Sequence, residues 1–262
     1  GERIELPDDI HQLWQQRLEQ LLERRGAEQR QFVEIASALG VEVAFSEWRN
    51  ACKHHSLRID QALMDELFEA GLLEATEEGW AFVHGMLRES LLRVAQEAAR
   101  GAGHHEVCVQ ALRLLYGEHA MGHADRVARH LLAAGRSRDA LDPLIDATYH
   151  YQVSGQYAQA DQALGSYEEV LEQLEVGPEA LERARAQIQR VWLDWSQVGV
   201  TEALRQRVAQ LAERARQRGW PEVLGECWRW RGLVARFEEG WAESLAHLER
   251  ARTHYEQIGD EE

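Results

Sequence analysis

Apolar residues recur at intervals of three and four along almost the entire chain, from Ile10 to Ile258. This spacing places them on one face of an α-helix, whereas a half-buried β-strand would need strict alternation. Only four prolines occur among the 262 residues, and the sequence has no long alternating segment of β-branched residues. The pattern therefore predicts an all-α chain, long enough to bury one large core or two smaller ones.

The formal net charge of −16 restricts the partners that we expect. Binding to nucleic-acid phosphates or to an anionic membrane depends on a basic surface, so we expect neither a nucleic-acid nor a membrane partner. The sequence has no signal peptide and no apolar run of transmembrane length. Cys52, Cys108 and Cys227 are isolated within helical patterns, which favours reduced core thiols and a cytoplasmic protein.

The first hundred residues contain short elements. The segment LLEATEEGWAFVH, residues 72–84, has two apolar stretches around an acidic turn with Gly79, and it predicts a β-hairpin. Helices, a small hairpin and another helix in that order predict a winged-helix domain over residues 1–100. The helices expected before the hairpin span residues 11–26, 29–40, 47–54 and 58–70.

The last helix before this hairpin bears on DNA binding, because a winged helix reads the major groove with its third helix. The segment IDQALMDELFEAG, residues 59–71, contains Asp60, Asp65, Glu66 and Glu69 and no basic residue. Phosphates would repel such a helix. A winged-helix transcription factor is therefore a disfavoured hypothesis.

From about residue 102 the helices lengthen and repeat. The segments GQYAQA (155–160) and EEGWAESLAHLERA (238–251) have the turn glycine, aromatic residue and small residue of a tetratricopeptide (TPR) repeat. Residues 101–262 therefore predict a TPR-like α-solenoid, whose stacked helix pairs supply the core and a concave groove. The expected helices span residues 104–117, 121–134, 137–154, 157–174, 178–198, 201–218, 221–238 and 241–257.

Candidate partner-binding residues follow from this repeat pattern. Arginine and aromatic side chains in such grooves bind carboxylates and anchor peptides, so we expect a protein or peptide partner. The alternative is a solvated face with local pairs such as Glu226 and Arg229. The groove-facing candidates are Tyr149, Gln152, Arg229, Leu233 and Arg236.

The tryptophans of the later repeats are expected in the core rather than in a binding site. Trp192, Trp228 and Trp241 suit positions that pack between helices, and Trp195 and Trp230 can pack as well.

Metal binding and catalysis find little support in the sequence. The adjacent pairs His54/His55 and His104/His105 diverge by about 100° on a helix, and the turn-forming Met-Gly between His119 and His123 interrupts their i, i+4 spacing. No Walker A motif and no catalytic constellation occurs. We therefore expect no metal site and no enzymatic activity in this chain.

The segment Val83-His84-Gly85-Met86-Leu87-Arg88-Glu89 resembles the end of the winged-helix domain of signal-transduction NTPases, the STAND class. That class includes plant disease-resistance proteins with a Met-His-Asp motif and bacterial regulators related to the maltose-regulon activator. The match departs at Gly85, where the plant motif has Asp. ARHLLAAGRSRDAL, residues 128–141, resembles the segment after the winged helix in bacterial AAA/STAND regulators with TPR arrays, some of them linked to kinases.

The resemblance implies that His84 contacts the phosphates of ADP and helps to lock an NTPase closed. The alternative for His84 is local capping or packing at the junction. Because Gly1 resembles a tag scar, the chain is expected to be a fragment, with a nucleotide-binding domain before it and ADP or ATP bound only in the full-length protein. The leading hypothesis is a non-catalytic regulatory and sensor fragment; the alternative is a passive TPR scaffold or adaptor.

Overall fold

A computed structural model of the chain describes residues 8–117 and 121–259, and it confirms a mostly helical protein with one small sheet. Its packing divides the chain into two compact units, residues 1–140 and 141–262. The first unit contains α1 (Asp8–Glu23), α2 (Ala27–Leu39), β1 (Glu42–Ala44), α3 (Phe45–His54), α4 (Gln61–Glu69), β2 (Leu73–Ala75), β3 (Gly79–Phe82), α5 (Gly85–Glu97), α6 (Gly101–Tyr116) and α7 (Ala124–Ala133). The second contains α8 (Leu141–Val153), α9 (Tyr157–Gln173), α10 (Leu181–Val198), α11 (Glu202–Arg218), α12 (Pro221–Glu238) and α13 (Trp241–Ile258).

The sheet is antiparallel, with β3 in the centre between β1 and β2. Trp80 of β3 lies opposite Val43 on one side and Ala75 on the other. A Cβ atom at Gly79 would lie 2.1 Å from the carbonyl oxygen of Val43, so only glycine allows the two strands to approach here. The predicted hairpin is present, and β1 is an addition to it that the sequence pattern did not indicate.

Aromatic rings form the centre of the first unit's core. Trp48 of α3 packs against Phe32 of α2 and Trp80 of β3, with 5.3 Å between ring centroids in both pairs. The indole nitrogen of Trp48 donates a hydrogen bond to the carbonyl oxygen of Phe32, so its polar group is satisfied although the side chain is fully buried. These contacts join the sheet to the helices.

Two buried carboxylates join α6 and α7 to the earlier helices. Glu34 of α2 accepts hydrogen bonds from Arg100 and from His104 of α6, and Glu47 of α3 accepts from Tyr116 and from Arg126 of α7. Helices α6 and α7 therefore pack within the first unit. The division predicted from sequence, at residues 100 and 101, separated short elements from long repeated helices, whereas the packing division falls 40 residues later, after residue 140.

Helices of the second unit pack mainly on their neighbours in the chain. Gly232 of α12 allows the closest approach, because a Cβ atom there would lie 2.8 Å from the Leu248 side chain and 3.2 Å from the carbonyl oxygen of Ser244. Thr201 begins α11 by accepting a hydrogen bond from the backbone nitrogen of Leu204, and Gly219 ends it with φ of 70°.

The tryptophan predictions are partly correct. Trp192 and Trp230 are buried in the core of the second unit, and Trp195 packs against it. Trp241 was expected in the core, but 71 % of it is exposed. Trp241 is the first residue of α13, and the guanidinium carbon of Arg236 lies over its ring, 4.5 Å from the ring centroid. Trp228 is half-buried between Arg231 and Arg250.

None of the helices within the described ranges is long and apolar enough to cross a membrane.

Candidate functional site

His84 lies where the chain changes from strand to helix. It precedes α5 as its N-cap residue, with φ of −130° and ψ of 129°, and its ring is half-buried. The backbone nitrogen of Val83 still donates to Leu72 beside β2, while that of Leu87 already donates to the carbonyl oxygen of His84. The His84 side chain makes no capping hydrogen bond to α5, so capping is not its role.

Arg88 follows His84 by one helical turn and fixes α5 to α2. Its Nε atom donates a hydrogen bond of 2.8 Å to the carbonyl oxygen of Ser37, next to the end of α2. This hydrogen bond joins the first turn of α5 to the end of α2.

In the second unit, Arg229 of α12 and Tyr149 of α8 lie together. The guanidinium carbon of Arg229 is 5.6 Å from the Tyr149 ring centroid and 4.1 Å from that of Trp192 in α10. An arginine between two aromatic rings is attracted to their faces and is held in one orientation. Three helices therefore meet at this side chain.

Glu226 occupies the hydrogen-bonding edge of the same arginine. Its carboxylate accepts a bond of 2.7 Å from Arg229, one of 3.0 Å from the indole nitrogen of Trp192 and one of 2.5 Å from the hydroxyl of Tyr255. Burial raises the pKa of Tyr255, and the neighbouring Glu226 carboxylate raises it further. A partner's carboxylate would have to compete with Glu226 for Arg229.

The other three predicted groove residues are on the same helices but make contacts of their own outside the Glu226–Arg229 hydrogen bonds. The side-chain N–H of Gln152 donates a hydrogen bond of 3.2 Å to the carbonyl oxygen of Gln189. Leu233 is half-buried against the core of α10 to α12, and Arg236 stacks on Trp241. Arg229, Leu233 and Arg236 share one face of α12 by their i, i+4, i+7 spacing. The sequence indicated the Glu226–Arg229 pair, but nothing in it linked Trp192 and Tyr255 to the same carboxylate.

The histidine pairs diverge as their spacing predicts. His104 points into the first unit, where its Nε2 atom lies 2.9 Å from Glu34, and His105 points toward α7, where its Nδ1 atom lies 2.9 Å from Nδ1 of His130. His119 lies outside the described residues. Within the part of the chain that the structure describes, no group of three or more metal-ligating side chains is close enough to hold an ion.

The three cysteines are free and buried. Burial raises the pKa of Cys52 and of Cys227 to about 12 and also raises that of Cys108. Because the thiolate is the reactive form, these side chains are packing residues rather than nucleophiles.

Comparison of the chain with protein-family models, with curated proteins and with solved structures gives no match.

Proposed function

We propose that this chain is a non-catalytic regulatory region of a cytoplasmic STAND-type NTPase. In this proposal residues 1–100 form a winged-helix domain that restrains a preceding nucleotide-binding domain, and residues 101–262 form TPR-like repeats that bind a protein or peptide. ADP or ATP would be bound in the full-length protein, through the nucleotide domain.

The observation that carries the proposal is the position of His84. It is the last residue before α5, it has an extended backbone and a half-buried ring, and it lies within the sequence Val-His-Gly-Met-Leu-Arg-Glu. A neutral or protonated imidazole at the N-terminus of a helix can donate its ring N–H to a phosphate, and the helix dipole favours the same anion. Four helices, α1 to α4, with β1 between α2 and α3, precede the hairpin of β2 and β3 and helix α5, and this order supports the winged-helix proposal.

The second unit supports the partner-binding part of the proposal. Its helices pack in sequence, with small residues such as Gly232 at the closest approach, as expected for stacked helix pairs. Leu233 and Arg236 offer an apolar and a cationic contact on one face of α12. Tyr149, Gln152 and Arg229 would contribute mainly shape, because Arg229 is already paired with Glu226.

The sequence that precedes Gly1 in the full-length protein gives the first test. A Walker A motif in it supports the proposal, whereas its absence would favour the passive scaffold or adaptor. The decisive experiment is then His84→Ala in the full-length protein. We expect faster ADP release and higher basal signalling, since a charge-assisted hydrogen bond contributes about 1.5–3 kcal/mol, equivalent to a tenfold or larger shift between two states.

His54→Ala is the matched control, because His54 is exposed at the end of α3. It should leave ADP retention unchanged. The thermal unfolding of residues 1–262 carrying His84→Ala should change little. If this substitution lowers the unfolding temperature by several degrees while ADP retention stays at the original level, His84 is a packing residue and the proposal loses its main support.

A further inference from the structure

A cavity of about 340 Å³ lies within the first unit, between the C-terminal end of α2, the loop that follows it and helices α5, α6 and α7. Every titratable or charged side chain that lines it is basic. In a chain of net charge −16, this concentration of cationic groups needs a physical reason. The lining side chains in question are Arg88, His105, Arg126, Arg129 and His130.

The three arginines differ in how far their charges are compensated. Arg126 is paired through both of its terminal nitrogens with Glu47, and Arg129, two-thirds exposed, is paired with Asp125 at 3.1 Å. Arg88 binds only the carbonyl oxygen of Ser37 and has no carboxylate partner among the described residues. The cavity therefore has an uncompensated positive charge from Arg88.

The two imidazoles add charge that depends on protonation. Their Nδ1 atoms are 2.9 Å apart, so the N–H of one ring donates a hydrogen bond to the unprotonated nitrogen of the other. Burial lowers the pKa of His130 to about 3, and it also lowers that of His105. The neighbouring basic groups His105, Arg126, Arg129 and Arg88 contribute to this same lowering of the pKa of His130.

We propose that this cavity binds a small phosphoryl anion, either inorganic phosphate or the phosphoryl end of a small metabolite. Guanidinium groups present paired N–H donors that match a phosphate oxygen pair, and the imidazoles supply further donors. The volume is at the low end of small-ligand pockets and suits a phosphoryl group with a few further atoms rather than a peptide. This proposal requires neither a nucleotide domain nor a role for His84.

The His105–His130 pair makes anion binding depend on pH. An anion beside the pair favours the imidazolium form and raises its pKa, so binding takes up a proton and strengthens as pH falls. The charged and titratable groups that face the pair are Arg88 on α5, His104 on α6, and Asp125, Arg126 and Arg129 on α7, with Glu47 of α3 behind Arg126.

Titration of the protein with sulfate at constant ionic strength tests the proposal, with the imidazole NMR signals of His105 and His130 as the readout. Sulfate stays dianionic between about pH 6 and about pH 7.5, so any pH dependence belongs to the protein. We expect saturable shifts of both signals, and an affinity that rises by up to about tenfold per pH unit as pH falls. If neither imidazole signal shows a saturable response at about pH 6 or at about pH 7.5, the proposal is overturned.

Arg88→Gln and Arg93→Gln form a matched pair on α5. Both remove one positive charge, but Arg93 is exposed and does not line the cavity. We expect Arg88→Gln to weaken sulfate binding at least about tenfold, equivalent to about 1.4 kcal/mol, and Arg93→Gln to leave it unchanged. Equal weakening by both variants would mean a general effect of charge and would contradict the site.

Arg129→Gln keeps the test valid if Arg88→Gln impairs folding, because the Arg129 side chain is two-thirds exposed and its one ion pair is local. We expect it to weaken binding about threefold. Inorganic phosphate, glycerol phosphate and a phosphoserine peptide then distinguish the source of the anion. Tighter binding of glycerol phosphate assigns a metabolite, and tighter binding of inorganic phosphate assigns the free ion. Tightest binding of the peptide would overturn the commitment to a small ligand.

Discussion

The two compact units bury different kinds of polar side chain. The first unit buries ionisable groups, namely Glu34, Glu47, His104 and His130, each with a hydrogen-bonding partner. Among the described side chains of the second unit, no carboxylate, guanidinium or imidazole group is fully buried; its buried polar side chains include Thr148, Gln189 and Ser244, and its ion pairs lie nearer the surface. Helices that pack on chain neighbours need no buried charge to align them. In the first unit, buried charges join helices that are distant in sequence.

Loss of the Glu34 carboxylate is expected to have the largest effect on this difference. Burial by itself would raise the pKa of Glu34, but hydrogen bonds from His104 and Arg100 hold it below its ordinary value. Glu34→Ala leaves both partners uncompensated, and we expect the first unit to lose about 3 kcal/mol or more of unfolding free energy. Hydrogen-exchange protection of α2 and α6 should fall, while that of α10 and α12 is kept.

Glu213→Ala is the control for this substitution, since Glu213 forms an exposed pair with Arg216 one turn away on α11. It should leave exchange in both units unchanged. An equal loss of protection in α10 and α12 after Glu34→Ala would show that the buried carboxylate does not act on the first unit alone.

Acidification should destabilise the first unit next most strongly. An unfolded imidazole binds a proton near pH 6.5, whereas the pKa of folded His130 is about 3. The unfolded state therefore holds more protons between these values, and stability is full above pH 6.5 and falls below it by up to about 1.36 kcal/mol per unit. The pKa of Glu34 and of Glu47 is lowered, so their contributions are lost only below about pH 4.5.

Urea unfolding at about pH 6.5 and about pH 4.5 measures the imidazole contribution separately from that of the carboxylates. His130→Gln should flatten the pH dependence in this window. His247 in the second unit is shifted in the same direction but is half-exposed, and we expect little from it. A variant with the original slope would place the responsible group elsewhere.

A pair of glycine substitutions in the second unit should have the smallest effect, and in opposite directions. Gly165 lies inside α9 with open space where a Cβ atom would lie, so Gly165→Ala should stabilise by about 0.5–1 kcal/mol through helix propensity. Gly232→Ala has the same propensity gain but places its Cβ against Leu248, and we expect a net loss of about 1–2 kcal/mol. Stabilisation by both, measured by urea unfolding, would show that the approach of α12 and α13 is loose.

Elements with local signals were predicted from sequence with ends correct to within a few residues. Helix α11 is an example, because its threonine cap, apolar periodicity and terminal Gly219 all lie within the helix or next to it. Strand β1 was not predicted, since three residues are too few to show a period and its partner β3 lies 35 or more residues later. Trp241 was wrongly predicted in the core. Its spacing from the other apolar residues of its helix fits a core position, but most of its side chain is exposed.

The candidate sites divide in the same way. The sequence motif selected His84, and the structure places it at the predicted junction between strand and helix. The sequence did not indicate the cationic cavity, because Arg88, His105 and His130 come from three helices. None of their local sequences differs from an ordinary amphipathic pattern. Glu34 likewise follows Phe32 and Val33 with no sign that its partners are 66 and 70 residues away.

The sequence by itself determined where helices begin and end and which faces are apolar, because periodicity, caps and turn glycines act over a few residues. Only the tertiary structure decided which charges are buried, which helices share a compact unit and which basic side chains surround one cavity. These outcomes depend on contacts between distant segments, whose free energy arises only when packing removes the water between them.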